Sequence, residues 1–181
     1  TKFEKGVSTN AFGEWAAGDF KDKLDDVDYK ESGRTLYYQL TLDTSDLTRF
    51  DGEEYTVTDT LPAGLKYVEG SARGAFRRAS DKAAYYNFYR DSGGPFSFNN
   101  PTYPSEFFEV NATTYSSTEG QTLTFKIKNL QSLNNNTQHD FFTECSGFYI
   151  RYTVEVDTEL WKNWKGNGVE NDSKDERTYI N

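Results

Sequence analysis

The longest strict alternation in the chain runs from residue 148 to 156. Every second position there is apolar, and these positions are Phe148, Ile150, Tyr152, Val154 and Val156. Successive side chains of an extended strand point to opposite faces, so an apolar row of this length predicts a strand at the centre of a sheet. A helix has a period of 3.6 residues and does not produce this pattern. The chain is therefore predicted to fold around a sheet.

Shorter alternations of the same kind predict further strands. Their inward residues are Phe3, Lys5 and Val7, then Leu36, Tyr38, Leu40 and Leu42, then Tyr55, Val57 and Asp59, then Leu123, Phe125 and Ile127, and at the end Tyr179 and Asn181. Pro62 and Gly64 mark a turn before an extended segment at 66–68. Many short strands without helices between them predict an all-β fold, an immunoglobulin-like antiparallel β-sandwich.

The length of 181 residues favours a single domain over 1–181 rather than two. Residues 9–33 and 71–108 lack a clear strand pattern and are predicted to be long inserted loops. Short helical segments are predicted at 20–25, weakly at 83–89, and in one turn that Asp157 would cap. No signal peptide or membrane-spanning run is present, as we expect of an excised piece of a larger ectodomain.

Charge and cysteine content exclude several classes of protein. The chain carries 20 basic and 29 acidic residues, a net charge of -9, which would repel nucleic acid and anionic membranes. Cys145 is the only cysteine, so it can form neither an intramolecular disulfide nor a zinc-binding pair, and we assign it no chemistry. His139 stands in a polar loop without a metal-binding pattern. We predict no metal and no cofactor.

Three polar side chains fall on predicted inward faces, namely Lys5, Asp59 and Asn181. Burying each of them alone would cost several kcal/mol, so a common explanation is that they meet. A dry core favours the uncharged forms of amines and carboxylic acids. A neutral Lys5 amine could then attack the Asn181 carboxamide while Asp59 polarises it and shuttles protons. Ammonia would leave, and a Lys–Asn isopeptide bond would remain.

The segment EYTVTDTLPAGLKYV at residues 54–68 resembles the signature of isopeptide-forming domains in Gram-positive fimbrial and collagen-adhesin-type surface proteins. In that family a lysine near the first strand and an asparagine closing the last strand are crosslinked with the help of an aspartate. The resemblance maps these roles onto Lys5, Asn181 and Asp59. It extends to 3–7, 37–42, 149–156 and 178–181.

The resemblance implies a structural domain of a bacterial cell-wall-anchored adhesin or pilus protein. Such a domain is extracellular, attached to the wall through other parts of its parent protein, and monomeric. Its partners are the neighbouring domains of the same surface protein, and it contacts neither nucleic acid nor membrane. Apart from one self-catalysed crosslink, we do not expect it to be an enzyme.

Other interpretations of the same residues stay open at this point. Lys5 could be an ordinary edge-strand lysine, with Lys2 as the crosslinking partner instead. Asp59 could simply cap the turn that follows it. A different function is a ligand-binding adhesin domain that recognises a host glycan or matrix protein through aromatic side chains, namely Tyr85, Tyr86, Tyr89, Trp161 and Trp164.

Overall fold

Nine strands form the part of the chain that the computed structural model describes, which is residues 2–10, 20–21, 35–44, 54–89, 107–130 and 144–157. Only the backbone is described at position 2 and at 85–89. The strands are β1 Lys2–Ser8, β2 Thr35–Asp43, β3 Tyr55–Leu61, β4 Leu65–Tyr67, β5 Arg73–Arg78, β6 Ala84–Tyr89, β7 Phe108–Ala112, β8 Gln121–Ile127 and β9 Cys145–Val156.

The strands form two antiparallel sheets. The larger sheet has six strands in the order β1-β2-β9-β5-β6, and β4 also pairs with β9. The smaller sheet has three strands in the order β3-β8-β7. Within the described ranges β1 and β6 are edge strands of the larger sheet, and β3 and β7 are edges of the smaller one.

Strand β9 is the centre of the larger sheet, as its alternation predicts. It pairs with β2 along nine residue pairs, from Thr35 opposite Glu155 to Asp43 opposite Gly147. Its other edge is shared by β5 and β4. The side chains of Ile150, Tyr152 and Val154 are fully buried. A strand that is paired on both edges and buried on one face is the element from which the rest of the sheet is organised.

Aromatic side chains fill the space between the two sheets. Phe125 of β8 lies 5.3 Å from the Tyr152 ring of β9, measured between ring centroids. Tyr38 of β2 stacks on Tyr152 at 5.4 Å, and Phe76 of β5 lies 5.2 Å from Phe148. The inward residues of β2, β3 and β8 alternate with more exposed ones. The prediction of an all-β antiparallel sandwich is confirmed, while the immunoglobulin-like strand arrangement stays a prediction.

Two predictions of local structure are wrong. We expected no regular pattern from 71 to 108 and a weak helix at 83–89, yet β5 and β6 lie in this segment. The register of β5 shifts between Ala75 and Phe76 and again between Phe76 and Arg78. Each irregularity changes which face the next side chain occupies, so the two-residue period is lost from the sequence. Pairing with neighbouring strands outweighs the weak local preference for helix.

The other predicted helical segments lie mostly outside the described residues. Of the segment 20–25, Phe20 and Lys21 are described, and Lys21 exchanges two backbone hydrogen bonds with Val7 of β1, at 2.8 and 2.7 Å. The turn after Asp157 begins where the described residues end. Of the connection 9–33, only residues 9–10 and 20–21 are therefore described.

Gly147 occupies a position in β9 that a side chain would not fit. Its φ is 136°, in a region that residues with a β-carbon rarely adopt. A β-carbon there would lie 1.8 Å from the backbone carbonyl oxygen of Leu42 in β2. The β-carbon is fixed to the backbone of β9 and the oxygen belongs to the backbone of β2, so the strands would have to move apart at the start of β9.

We expect Gly147→Ala to lower the free energy of unfolding by about 2 kcal/mol or more, because it adds backbone strain and a clash together. Urea unfolding followed by circular dichroism measures this change. Thr56→Ala, at an exposed position of β3, is the control and should change stability by about 0.5 kcal/mol or less. Equal stability of the two variants would contradict the close approach of β2 and β9 at Gly147.

Candidate functional site

Two charged side chains enter the space between the sheets from opposite sides. Lys5 lies on β1, where it is opposite the buried Leu40 of β2. Asp59 lies on β3, where it is opposite the buried Leu123 of β8. Residues directly opposite each other in a sheet share a face, so Lys5 and Asp59 both belong to the inner faces of the sandwich.

Lys5 and Asp59 form an ion pair across the two sheets. The Nζ of Lys5 lies 2.6 Å from Oδ1 of Asp59, and the two side chains are 17% and 7% exposed. The Lys5 ammonium also lies 5.0 Å from the centroid of the Tyr38 ring, within reach of a cation–π contact. The structure thus brings together two of the three inward polar residues from the sequence.

Tyr152 completes the site, and the sequence analysis did not assign it a role. Its hydroxyl donates a hydrogen bond to Oδ2 of Asp59, the oxygen that Lys5 does not contact. The Tyr152 side chain is fully buried on β9. A buried tyrosine hydroxyl normally needs a polar partner, and that requirement was the available signal. We call these three residues, Lys5, Asp59 and Tyr152, the inter-sheet cluster.

Burial sets the protonation of the inter-sheet cluster. Loss of solvent lowers the pKa of Lys5, although the nearby Asp59 carboxylate acts in the opposite direction. Burial raises the pKa of Tyr152 well above its usual value, and Asp59 raises it further. The Tyr152 hydroxyl therefore stays protonated and acts as a donor. The Lys5 amine reaches its neutral, nucleophilic form more easily than it would in water.

The alternative interpretations of Lys5 as an edge-strand lysine and of Asp59 as a turn cap do not fit this geometry. Lys5 is not a solvated edge lysine, since its side chain is largely buried and its amine is bound to Asp59. Both oxygens of Asp59 contact side chains of the inter-sheet cluster rather than the turn that follows β3. That turn is closed instead by a backbone hydrogen bond of 3.3 Å from Leu65 to Pro62. Asp59 is therefore placed beside an amine.

The remaining predicted site residues lie outside the described side chains. Asn181, the predicted crosslink acceptor, is outside the described residues, as are Trp161, Trp164 and His139. Three further residues belong to β6, an edge strand of the larger sheet, namely Tyr85, Tyr86 and Tyr89. Only their backbone is described. Recognition of a host glycan or matrix protein through these aromatic residues stays a prediction.

A second tyrosine–carboxylate pair lies away from the inter-sheet cluster. The hydroxyl of Tyr115 donates to Oδ2 of Asp157 at 2.7 Å and accepts a hydrogen bond from the Gly64 backbone at 3.1 Å. Burial and the neighbouring Asp157 raise the pKa of Tyr115 to about 12. This pair fastens the turn before β4 to the end of β9. The Lys66 ammonium lies 6.0 Å from the centroid of the Tyr115 ring, so a cation also borders this pair.

Neither thiol chemistry nor metal binding is indicated in the described part of the chain. Burial raises the pKa of the Cys145 thiol to about 12, and Glu144 adds to the shift. The thiol is therefore protonated at neutral pH, and a protonated thiol is a weak nucleophile. Among the residues that the structure describes, no three His, Cys, Asp or Glu side chains are grouped as a metal site.

We expect Asp59→Asn to destabilise the fold by about 2 kcal/mol more than the double change Lys5→Met with Asp59→Asn. The single variant leaves a largely buried ammonium without its carboxylate, and the double variant removes that ammonium. Because both variants lack Asp59, every other effect of the carboxylate cancels in the difference between their free energies of unfolding. Urea unfolding of the two proteins measures the difference. If the double variant is no more stable than Asp59→Asn, the buried Lys5 ammonium is not stabilised by its ion pair with Asp59.

Comparisons of the chain with protein-family models, with curated proteins and with solved structures each found no match. Over the described ranges, no helix is long and apolar enough to cross a membrane. The contacts of the inter-sheet cluster are therefore the observations that a proposal about function has to explain.

Proposed function

We propose that the chain is a structural domain of a Gram-positive cell-wall-anchored adhesin or pilus protein, stabilised by an isopeptide bond between Lys5 and Asn181. Asp59 is the catalyst, and neighbouring domains of the same surface protein are its partners. The observation that supports this proposal most is the contact between the Lys5 amine and the Asp59 carboxylate inside the sandwich. The reaction needs an amine and a carboxylate that are shielded from solvent together, before the carboxamide of Asn181 reaches them.

The reaction begins with a proton transfer within the ion pair. The proton moves from Nζ of Lys5 to Oδ1 of Asp59, which lie 2.6 Å apart. This transfer converts two buried charges into a neutral amine and a neutral carboxylic acid, and burial favours that change. The neutral amine has a free electron pair and is a nucleophile.

The neutral amine then attacks the side-chain carbonyl carbon of Asn181. Protonated Asp59 donates a hydrogen bond to the carboxamide oxygen and stabilises the charge that develops there. A bond forms between Nζ of Lys5 and Cγ of Asn181, and the bond from Cγ to Nδ2 breaks. Asp59 carries a proton from the attacking nitrogen to the leaving nitrogen, which departs as ammonia. Nothing is oxidised or reduced, and the protein reacts once.

Such a bond would take the place of the disulfides that this chain does not contain. Lys5 and Asn181 stand near the two ends of the sequence, and Cys145 is the only cysteine. In the chain-entropy treatment of crosslinks, closing a loop of more than a hundred residues stabilises a fold by about 5 kcal/mol. Lys5 also lies on the edge strand β1, which pulling would peel from the sheet first. A covalent link there suits a protein outside a cell.

The placement of the 54–68 segment supports the family resemblance. The segment forms β3, the turn and β4, and its aspartate is an inward residue of β3. Gly64 adopts a φ of 102° in the turn, a conformation for which glycine is suited. The turn sends β3 to the smaller sheet and β4 to the larger one. The segment therefore links the two sheets, and its Asp59 forms an ion pair with Lys5 of the larger sheet.

We expect the intact mass of the purified protein to be lower than its sequence mass by one ammonia. Lys5→Ala removes the nucleophile and Asp59→Ala removes the catalyst, so both variants should regain the full mass. Lys2→Ala is the matched control on the same strand and should keep the mass loss. Mass spectrometry of the denatured proteins makes the measurement. The proposal would be contradicted if the wild type had its full sequence mass, or if Lys2→Ala regained the full mass.

A further inference from the structure

We infer that Tyr152 is a positioning residue for the crosslinking reaction, because its hydroxyl holds one oxygen of Asp59 so that the other faces the Lys5 amine. This inference rests on the function proposed above and adds a residue to its mechanism. The residues that define the reaction are an amine, a carboxyl group and a carboxamide, and Tyr152 supplies none of them. Its contribution is the orientation of the carboxyl group.

The two oxygens of Asp59 have different partners on different strands. Oδ1 contacts Nζ of Lys5 on β1, and Oδ2 accepts the hydrogen bond from Tyr152 on β9. The terminal torsion of an aspartate side chain is soft, so one contact alone leaves the carboxylate free to rotate. Two contacts, one to each oxygen and each from a different strand of the larger sheet, restrain its plane. Oδ1 is then the oxygen that receives the proton from Lys5.

Tyr152 is a closely packed residue of a central strand. It lies on the central strand β9, and its ring is packed by Tyr38 at 5.4 Å, Phe125 at 5.3 Å and Tyr67 at 6.0 Å between centroids. Its side chain is fully buried. Lys5, by contrast, lies on an edge strand and is partly exposed. A rigid residue on a central element is suited to orienting a reactive group on another sheet.

Tyr152 acts in this site only as a hydrogen-bond donor. The titratable groups that act on it come from three other strands and are Tyr38 of β2, Asp59 of β3 and Tyr67 of β4. Lys5 of β1 is bound to the other oxygen of Asp59. Burial and the nearby carboxylate raise the pKa of Tyr152, so it does not give up its proton at the pH of the reaction. The proton that moves is the one between Lys5 and Asp59.

The test is the rate of ammonia loss in the full chain with Tyr152→Phe. This change removes the hydroxyl and keeps the ring that packs the core. The protein is synthesised in a cell-free system, quenched in denaturant at successive times and weighed by mass spectrometry. We expect the crosslinking rate to fall about 10- to 100-fold, as for a reacting group displaced by a fraction of an ångström to 1 Å. The bond should still form at long times.

Tyr115→Phe is the matched control. It removes a partly buried tyrosine hydroxyl that also donates to a carboxylate, here that of Asp157, outside the inter-sheet cluster. A general weakening of the fold would affect both variants, whereas a positioning role belongs to Tyr152 alone. We expect Tyr115→Phe to crosslink at the wild-type rate.

The pH dependence of the rate separates positioning from packing. Loss of a hydrogen bond to the charged form of a carboxyl group favours its protonated form, so the pH–rate profile of Tyr152→Phe should move to higher pH. A 3-fluorotyrosine at position 152 keeps the ring and is a stronger donor, so it should move the profile to lower pH. A residue that only fills space would leave the profile unchanged. The fluorinated protein also provides the test if Tyr152→Phe does not fold.

The outcomes distinguish this inference from the function on which it rests. A wild-type chain that keeps its full mass overturns both. A wild-type chain that loses ammonia, together with an unchanged rate and pH profile in Tyr152→Phe, overturns the role of Tyr152 and leaves the isopeptide bond standing. An unshifted profile with 3-fluorotyrosine at position 152 overturns the inference in the same way. Slow crosslinking and a shifted profile in Tyr152→Phe, with normal crosslinking in Tyr115→Phe, support it.

Discussion

The contact between Lys5 and Asp59 is the interaction on which the account of this molecule depends. An isolated buried charge costs several kcal/mol, and neither side chain is exposed enough to be fully hydrated where it lies. Each is stabilised by the other, and Asp59 also by Tyr152. Because β1 belongs to the larger sheet and β3 to the smaller one, the pair also connects the two layers. The same burial lowers the pKa of Lys5 and thereby favours the neutral amine that the proposed reaction needs.

The scaffold around the pair is built from aromatic packing on a central strand. Strand β9 is paired on both edges and carries Phe148 and Tyr152 into the core, where rings from β2, β5 and β8 surround them. The chain contains no methionine and only one cysteine, so neither flexible thioether packing nor disulfides contribute. The aromatic core packs around Tyr152, which binds Asp59, while Lys5 reaches the same carboxylate from the edge strand β1.

Most of the strands could be predicted from sequence because one buried face leaves a two-residue period. That period identified β9, β2 and the inward positions of Lys5 and Asp59. It failed for β5, where two register shifts break the alternation, and for β6, whose weak helical preference is outweighed by pairing with β5. The role of Tyr152 was missed because its partner is 93 residues away in another sheet, a contact that no local pattern encodes.

The most direct test of the central claim is to locate the crosslink by fragmentation mass spectrometry after protease digestion of the full chain. We expect one branched peptide in which the Lys5 side chain is joined to the Asn181 side chain, present in the wild type and absent from Asp59→Ala. Two separate linear peptides, one with a free Lys5 amine and one with an intact Asn181 carboxamide, would contradict it.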